Sequence, residues 1–293
     1  MIDITSALLI ALSLIYGGIA IYQDIKKREV SNWVNFSFIA LLFFVLLFES
    51  IIKLEFYPIL ICLIALGIYF GMANLFYYGR IFAGGDAKLL MGLGIAVSSI
   101  SITALNFPAF FNTLLSFMAN ILFLGSIYGL GYSLVLYLTY KDKKRIKRLS
   151  EEIKNKNKKI YTTALIFSLI FIALSILLKN IYFFVLAILI FISSKLLISL
   201  KVIENCCLVK AIPVSQLREG DWLSIPFKIK GKKEIIPTWD GLTNKDIERL
   251  KKYEKGKKIL IKEGLPFTPV IVSAFIVYLI WGNLLYLIVL LMA

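Results

Sequence analysis

The sequence predicts an all-α polytopic membrane protein with a small α+β cytoplasmic domain inserted before the last helix. Of the 293 residues, 59% are hydrophobic, and the mean hydropathy of +0.84 is far above that of a soluble globular chain. The apolar residues form long runs separated by charged segments. One region, residues 201–265, has a mixed composition and is predicted to fold outside the membrane.

Eight apolar segments are predicted to span the membrane, because a helix needs roughly 20 apolar residues to cross the hydrocarbon core. These segments are residues 6–22, 33–49, 58–78, 87–104, 113–139, 161–178, 181–199 and 267–291. The first segment follows Asp3 rather than a basic region, and no small-residue cleavage pattern follows it. A removable signal peptide is therefore not expected.

The basic residues predict the orientation. All but three of the 33 lysines and arginines lie in four connecting segments, which are residues 23–32, 79–88, 140–160 and 200–266. If eight spans alternate, these segments share one side, and the positive-inside rule makes that side cytoplasmic. Both termini are then external, in a multi-pass protein of the cytoplasmic membrane.

The net charge of +15 predicts contact with anionic lipid headgroups. Nucleic-acid binding is not expected, because no stacking platform of interleaved aromatic residues accompanies the charge.

Several catalytic chemistries are excluded by composition. The chain has no histidine and three cysteines, so neither a Ser-His or Cys-His relay nor a histidine-ligated metal can form. Cys62 lies in a predicted span, and Cys206 and Cys207 are adjacent, which favours a filler role over a disulfide framework. Carboxylates are the remaining candidates.

Topology reduces the candidate carboxylates to one pair. Between residues 4 and 140 the acids are Asp24, Glu29, Glu49, Glu55 and Asp86. Glu49 and Glu55 map to the external side, whereas the other three lie at cytoplasmic ends of spans. Glu29 follows three basic residues and is easily solvated, so Asp24 is the better partner for Asp86.

Two adjacent carboxyls can share one proton and hydrolyse a peptide bond without a metal. One member draws a proton from water while the other polarises the scissile carbonyl. Gly84 and Gly85 before Asp86 are expected to allow positive φ and close approach of a substrate. Two alternatives remain at this stage: Asp86 caps a helix, and Asp24 is an ordinary interfacial residue.

Two motifs carry a resemblance to a known family. Residues 23–33 after the first span, and Gly84-Gly85-Asp86-Ala87-Lys88 before the fourth, resemble the archaeal preflagellin and type IV prepilin peptidases. These are GxGD-type intramembrane aspartyl proteases. The resemblance implies that Asp24 and Asp86 are the catalytic pair, supported by the motif residues Gly84, Gly85 and Lys88. Lys88 is expected to extend its amine toward lipid headgroups.

The resemblance also implies the substrate and the absence of cofactors. Substrates would be prepilin-like or preflagellin-like proteins with class III signal peptides, whose short basic leader Glu29 could contact. The four-cysteine zinc loop of bacterial relatives is missing, so neither methyltransferase activity, zinc nor an organic cofactor is expected. Presenilin-like proteases place a Tyr-Asp pair in a span, whereas Gln23 precedes Asp24 here.

The chain departs from the family pattern at two places. Ala83 replaces the first glycine of GxGD, and spans six and seven add a hairpin turned at Lys179-Asn180. The segment at residues 264–269, which opens the last span, resembles the family's Pro-Phe element. Two other classes stay open: a transporter that binds ions at the same acids, and a non-catalytic pilin-assembly factor.

Five regions are predicted along the chain. They are a membrane catalytic core at 1–140, a basic cytoplasmic loop at 141–160, a transmembrane hairpin at 161–200, a small cytoplasmic domain at 201–265 and a final transmembrane helix at 266–293. In the small domain, alternating runs at 208–214, 222–228 and 257–262 predict strands. Thr243 is the expected N-cap of a helix that ends near Tyr253.

Overall fold

The computed structural model describes residues 3–79, 81–102, 106–179, 181–229, 234–238, 241–284 and 286–287, without the side chains of residues 181, 182, 185 and 198. The chain divides into two compact units. The membrane unit comprises Met1–Leu130 and Leu265–Ala293, and the second unit is Gly131–Gly264. The predicted turn residue Asn180, and Gly231 and Asp240 of the small domain, lie outside the described residues.

The helices and strands follow one another in a simple order. They are α1 Ile4–Lys27, α2 Asn32–Lys53, α3 Tyr57–Tyr78, α4 Gly84–Ser101, α5 Phe107–Thr139, α6 Lys143–Lys156, α7 Lys158–Leu178, α8 Ile181–Cys206, β1 Val209–Pro213, β2 Trp222–Leu223, α9 Asn244–Tyr253, β3 Lys258–Lys262 and α10 Thr268–Trp281.

Within the described residues, six helices are long and apolar enough to cross a membrane: α1, α2, α3, α5, α7 and the part Leu186–Cys206 of α8. The prediction of a helical, multi-pass membrane protein is confirmed. The count of eight is not confirmed, because α4 and α10, which lie at the fourth and eighth predicted spans, fall outside this set; α10 has only 14 residues.

Helix α4 is the central helix of the membrane unit and packs against α1, α2, α3 and α10. Nearly every side chain from Asp86 to Ser98 is buried. Two glycines allow the neighbouring helices to approach. A Cβ at Gly92 would lie 2.5 Å from the ring of Phe38, and a Cβ at Gly94 would lie 2.4 Å from the ring of Tyr69. Close packing of this kind holds α4 in one position.

The turn between α1 and α2 is closed by local hydrogen bonds. Arg28 adopts the left-handed conformation, with φ of 58°, and its N–H donates to the Asp24 carbonyl. The Ser31 N–H then donates to Gln23 Oε1 at 2.8 Å. Helix α1 therefore ends in a defined position, with its C-cap Arg28 four residues after Asp24.

The second unit contains a helix that sequence analysis predicted as a loop. Residues 143–156 form α6, which begins where the Asp142 carboxylate accepts the Arg145 N–H at 3.0 Å. Its apolar residues Ile146 and Ile153 pack against Val202 and Cys206. Sequence analysis assigned no helix to this cytoplasmic loop, because the many lysines and arginines concealed a narrow apolar stripe with helical spacing.

The small sheet has the strand order β1-β3-β2, and both pairs are antiparallel. The predicted strands at 208–214 and 257–262 are confirmed by β1 and β3. The strand at 222–228 is shorter than predicted: β2 ends at Leu223, and Phe227 makes an isolated bridge to Ile235. Residues 201–206 continue α8 instead of opening the sheet region.

The helix predicted after Thr243 is confirmed as α9. The Thr243 hydroxyl accepts the Asp246 N–H, and the Asp246 carboxylate accepts the Thr243 N–H, which is a complete capping box. Ile247 and Leu250 face the core of this region. The helix ends at Tyr253, as its short apolar face predicts.

Candidate active site

Asp24 lies in the last turn of α1 and is only 6% exposed. The buried positions of α1 are Leu9, Ser13, Gly17, Ala20 and Asp24. They follow one another at intervals of three or four residues, so Asp24 continues the stripe that faces the bundle interior. A carboxylate is thereby directed into the protein instead of toward water.

The Asp24 carboxylate is held by the start of α10. Its Oδ2 accepts two hydrogen bonds from one residue, from the Thr268 N–H at 3.1 Å and from the Thr268 hydroxyl at 2.9 Å. Thr268 itself is fully buried. The first residue of the last helix therefore contacts an acid near the start of the chain.

Asp86 is the third residue of α4 and is 7% exposed. Ala83 occupies the N-cap and Asp86 is the third helical residue, so Asp86 is not itself the N-cap residue. The Asp86 carboxyl faces the backbone N–H of Ala83, and an acid in the first helical turn interacts favourably with the helix dipole.

The structure brings Asp24 and Asp86 together. Helices α1 and α4 pack against each other, and the two carboxyls are close enough to interact electrostatically. Nearby, the ring of Phe82 packs on the ring of Phe267 with centroids 5.2 Å apart. The segments that lead into α4 and α10 therefore meet at the same end of the bundle.

Gly84 and Gly85 do not use the positive φ that sequence analysis expected, because neither is among the described glycines with positive φ. The reason for glycine at position 85 is space. An added Cβ would lie 3.2 Å from both the backbone nitrogen and the Cβ of Val30. The Gly85 carbonyl also accepts the Asn35 side-chain amide at 3.3 Å.

Ala83 replaces the first motif glycine without backbone strain. Its φ of −70° and ψ of 159° belong to the extended region that any residue adopts. The departure from the family pattern therefore leaves the start of α4 unaltered.

Lys88 and Glu29 occupy the surroundings of the pair. The Lys88 amine donates to Asn32 Oδ1 at 2.5 Å and lies 5.6 Å from the centre of the Phe36 ring, so it connects α4 to the start of α2. Glu29 is exposed in the turn between α1 and α2. Glu49, which the predicted topology excluded from the candidate acids, forms an ion pair with Lys53 at 2.6 Å. Lys53 also lies 3.6 Å from Asp3, at the opposite end of α1 from Asp24.

Sequence reasoning missed two polar residues of this region, Thr268 and Asn35. Both are fully buried. Thr268 lies in the segment that resembles the Pro-Phe element, and this was the only signal for it, since its partner Asp24 is near the other end of the chain. In the part of the chain that the structure describes, no group of three or more Cys, Asp or Glu side chains could hold a metal ion.

One known protein family resembles the N-terminal part of the chain. Residues 8–142 match the model of the type IV leader peptidase family. This part of the chain is therefore similar to that family. The match contains Asp24 and Asp86 and confirms the resemblance drawn from the two motifs. No curated protein and no solved structure gave a significant match.

The leader peptidase match ends before α6. It therefore leaves α7, α8, the small sheet and α10 outside, and with them Thr268. Together, the match over residues 8–142 and the six long apolar helices support a membrane protein that is similar to leader peptidases in its first part.

Proposed function

We propose that this protein is a membrane-embedded aspartyl endopeptidase that removes the short basic leader from prepilin-like or preflagellin-like proteins. Asp24 and Asp86 are the catalytic pair. One observation carries the proposal: two buried carboxyls interact at one end of a helical bundle, inside the segment that matches the leader peptidase family. Substrates carry class III signal peptides.

The reaction needs one carboxylate and one carboxylic acid. The carboxylate takes a proton from a water molecule whose oxygen bonds to the peptide carbonyl carbon, while the acid gives its proton to the carbonyl oxygen. The C–N bond of the resulting diol then breaks. Its nitrogen takes the proton from the first carboxyl, and a diol hydroxyl returns a proton to the second. One water is consumed, and both carboxyls regain their starting states.

We infer that cleavage takes place at the cytoplasmic membrane boundary. Asp24 lies two residues before the basic run Lys26, Lys27 and Arg28, which the positive-inside rule assigns to the cytoplasm. A substrate helix then stays in lipid while only the junction between leader and helix unwinds. Glu29, which is exposed in the turn between α1 and α2, is the residue we propose to contact the basic leader.

The same topology includes α4 and α10 among the membrane helices. Both pack into the apolar core formed with α1, α2 and α3. Eight spans then leave both termini external. We propose peptidase activity alone, because Cys62, Cys206 and Cys207 cannot supply the four-cysteine loop of the methylating relatives.

The decisive experiment replaces each aspartate separately. Asp24→Asn and Asp86→Asn are co-expressed with a prepilin-like substrate, and leader removal is followed by the change in substrate mass. Each variant should cleave at least about 100-fold more slowly, which is the lower range for loss of a general acid or base. Glu49→Gln, the same kind of change at the opposite end of the bundle, should cleave at the wild-type rate.

Two results would overturn the proposal. One is normal cleavage by either asparagine variant. The other is a wild-type protein that binds the substrate without cutting it, as an assembly factor would.

A further inference from the structure

The two acids of the pair have different surroundings. Asp24 Oδ2 receives both the N–H and the hydroxyl of Thr268. The Asp86 carboxyl faces the Ala83 N–H and the charge of Asp24, and within the described residues no hydroxyl group donates to it. The pair is therefore asymmetric before any substrate arrives.

Hydrogen bonds from two donors stabilise the charged form of a carboxylate. The partial positive charge at the start of α10 adds to this effect, because Thr268 is the first residue of that helix. Burial beside an ionised neighbour has the opposite effect on Asp86, since two adjacent charges away from water are unfavourable. The proton of the pair is thereby assigned to Asp86.

The geometry points to Thr268 as a positioning residue that orients the Asp24 carboxylate, so that Asp24 acts as the base and Asp86 as the proton donor. This inference rests on the proposed peptidase function. Both hydrogen bonds use Oδ2, which leaves Oδ1 of Asp24 to accept a proton from the attacking water. Nothing in the matched family segment assigns this residue, because the match ends at residue 142.

The position of Thr268 is set by packing on both sides. Helix α10 lies against α1 where Gly17 meets Val272, and an added Cβ on Gly17 would be 3.0 Å from a Val272 methyl. The preceding Phe267 ring contacts Gly125 of α5, where an added Cβ would lie 2.8 Å away. The hydroxyl therefore reaches Asp24 without a mobile loop between them.

The test compares variants of the purified full chain on a prepilin-like substrate, with kcat and KM measured separately. Thr268→Val keeps the side-chain shape and the backbone N–H but removes the hydroxyl. Its kcat should fall about tenfold or more, as expected for a lost hydrogen bond to a charged group, while KM stays unchanged. Thr268→Ser restores the hydroxyl and should keep kcat within about threefold of wild type.

A matched control is Thr113→Val, which removes another buried hydroxyl of the same unit. Thr113 accepts the Tyr278 hydroxyl at 3.3 Å and does not contact either aspartate. Its kcat should remain at the wild-type value. Thermal unfolding of every variant separates loss of folding from loss of rate. Should Thr268→Val fail to fold, Thr268→Ala takes its place.

The outcomes distinguish this inference from the proposed function. If both aspartate variants are inactive but Thr268→Val cleaves normally, the role of Thr268 is refuted and the peptidase stands. A Thr268→Ser variant no faster than Thr268→Ala, or a loss that appears in KM alone, refutes it equally. If the aspartate variants remain active, the peptidase itself is refuted.

Discussion

Replacing Gly94 by alanine tests whether α4 is held by contact with Tyr69. The added methyl carbon would lie 2.4 Å from the Tyr69 ring, whereas non-bonded carbons prefer about 3.5–4.0 Å. Tyr69 is fully buried and packs edge-on against Phe117, with centroids 6.3 Å apart, so its ring has little room to move. Helix α4 or the ring must shift by about 1 Å.

Two contributions set the magnitude. Overpacking a core position costs about 1–3 kcal/mol, and alanine recovers up to about 1 kcal/mol of helix propensity relative to glycine. The overlap at Gly94 is deep, so we expect a net loss of about 1–2 kcal/mol in the free energy of unfolding. Cleavage should also fall, because Asp86 lies on the same helix.

The assay is thermal unfolding of the purified protein in detergent, together with leader cleavage. Gly71→Ala in α3 is the control, because an added Cβ there meets nothing within 4 Å. A second change, Tyr69→Leu, should restore part of the stability lost by Gly94→Ala, since the two residues are in direct contact. Equal stability of the Gly94 and Gly71 variants would refute the packing argument.

Four further outcomes are expected. Gly85→Ala should slow cleavage by displacing Asp86, and adding Val30→Ala should restore part of the rate, as a cleavage assay will show. Asn120→Leu removes hydrogen bonds to the Gly282 carbonyl and the Leu284 N–H and should lower the unfolding free energy by about 2 kcal/mol in a thermal melt. Thr243→Ala removes the N-cap of α9 and should lower the free energy of unfolding by about 1 kcal/mol. Faster proteolysis of the sheet region would show this loss. Burial raises the pKa of the Cys207 thiol to about 11, so its alkylation should accelerate with pH well above the range of an ordinary thiol.

Each of these has a result that contradicts it. If adding Val30→Ala leaves the cleavage rate of Gly85→Ala unchanged, the contact with Val30 is not the cause of the slower cleavage. An Asn120→Leu protein that melts like wild type would show that the two hydrogen bonds contribute nothing net. Unchanged proteolysis would show that the Thr243 cap contributes nothing net. Rapid alkylation of Cys207 near pH 8 would contradict the raised pKa of its thiol.

Local patterns predicted the helices well where one signal dominated. Apolar length identified α1, α2 and α3 within a few residues, and the sequence around Thr243 identified α9 together with its cap. Where two signals compete in one segment, the helix was not predicted. In α6, basic residues that read as a loop share a helix with the apolar stripe of Ile146 and Ile153.

The candidate site also contains a residue whose role the sequence did not reveal. The motif around Asp86 pointed to the acid pair, but the explanation for Gly85 was wrong: the residue is small because Val30 lies against it, not because φ is positive. A glycine looks the same in sequence whether it serves the backbone or a neighbour. Only the neighbour's position separates the two reasons.

The sequence alone determined that this chain is a membrane protein and approximately which residues form its long helices. It also determined that Asp24 and Asp86 are the candidate catalytic acids. Hydropathy and motif spacing are properties of short segments, so they can be recognised without the tertiary structure. The tertiary structure alone decided that Thr268 donates to Asp24, because that contact joins the two ends of the chain and depends on how α10 packs against α1.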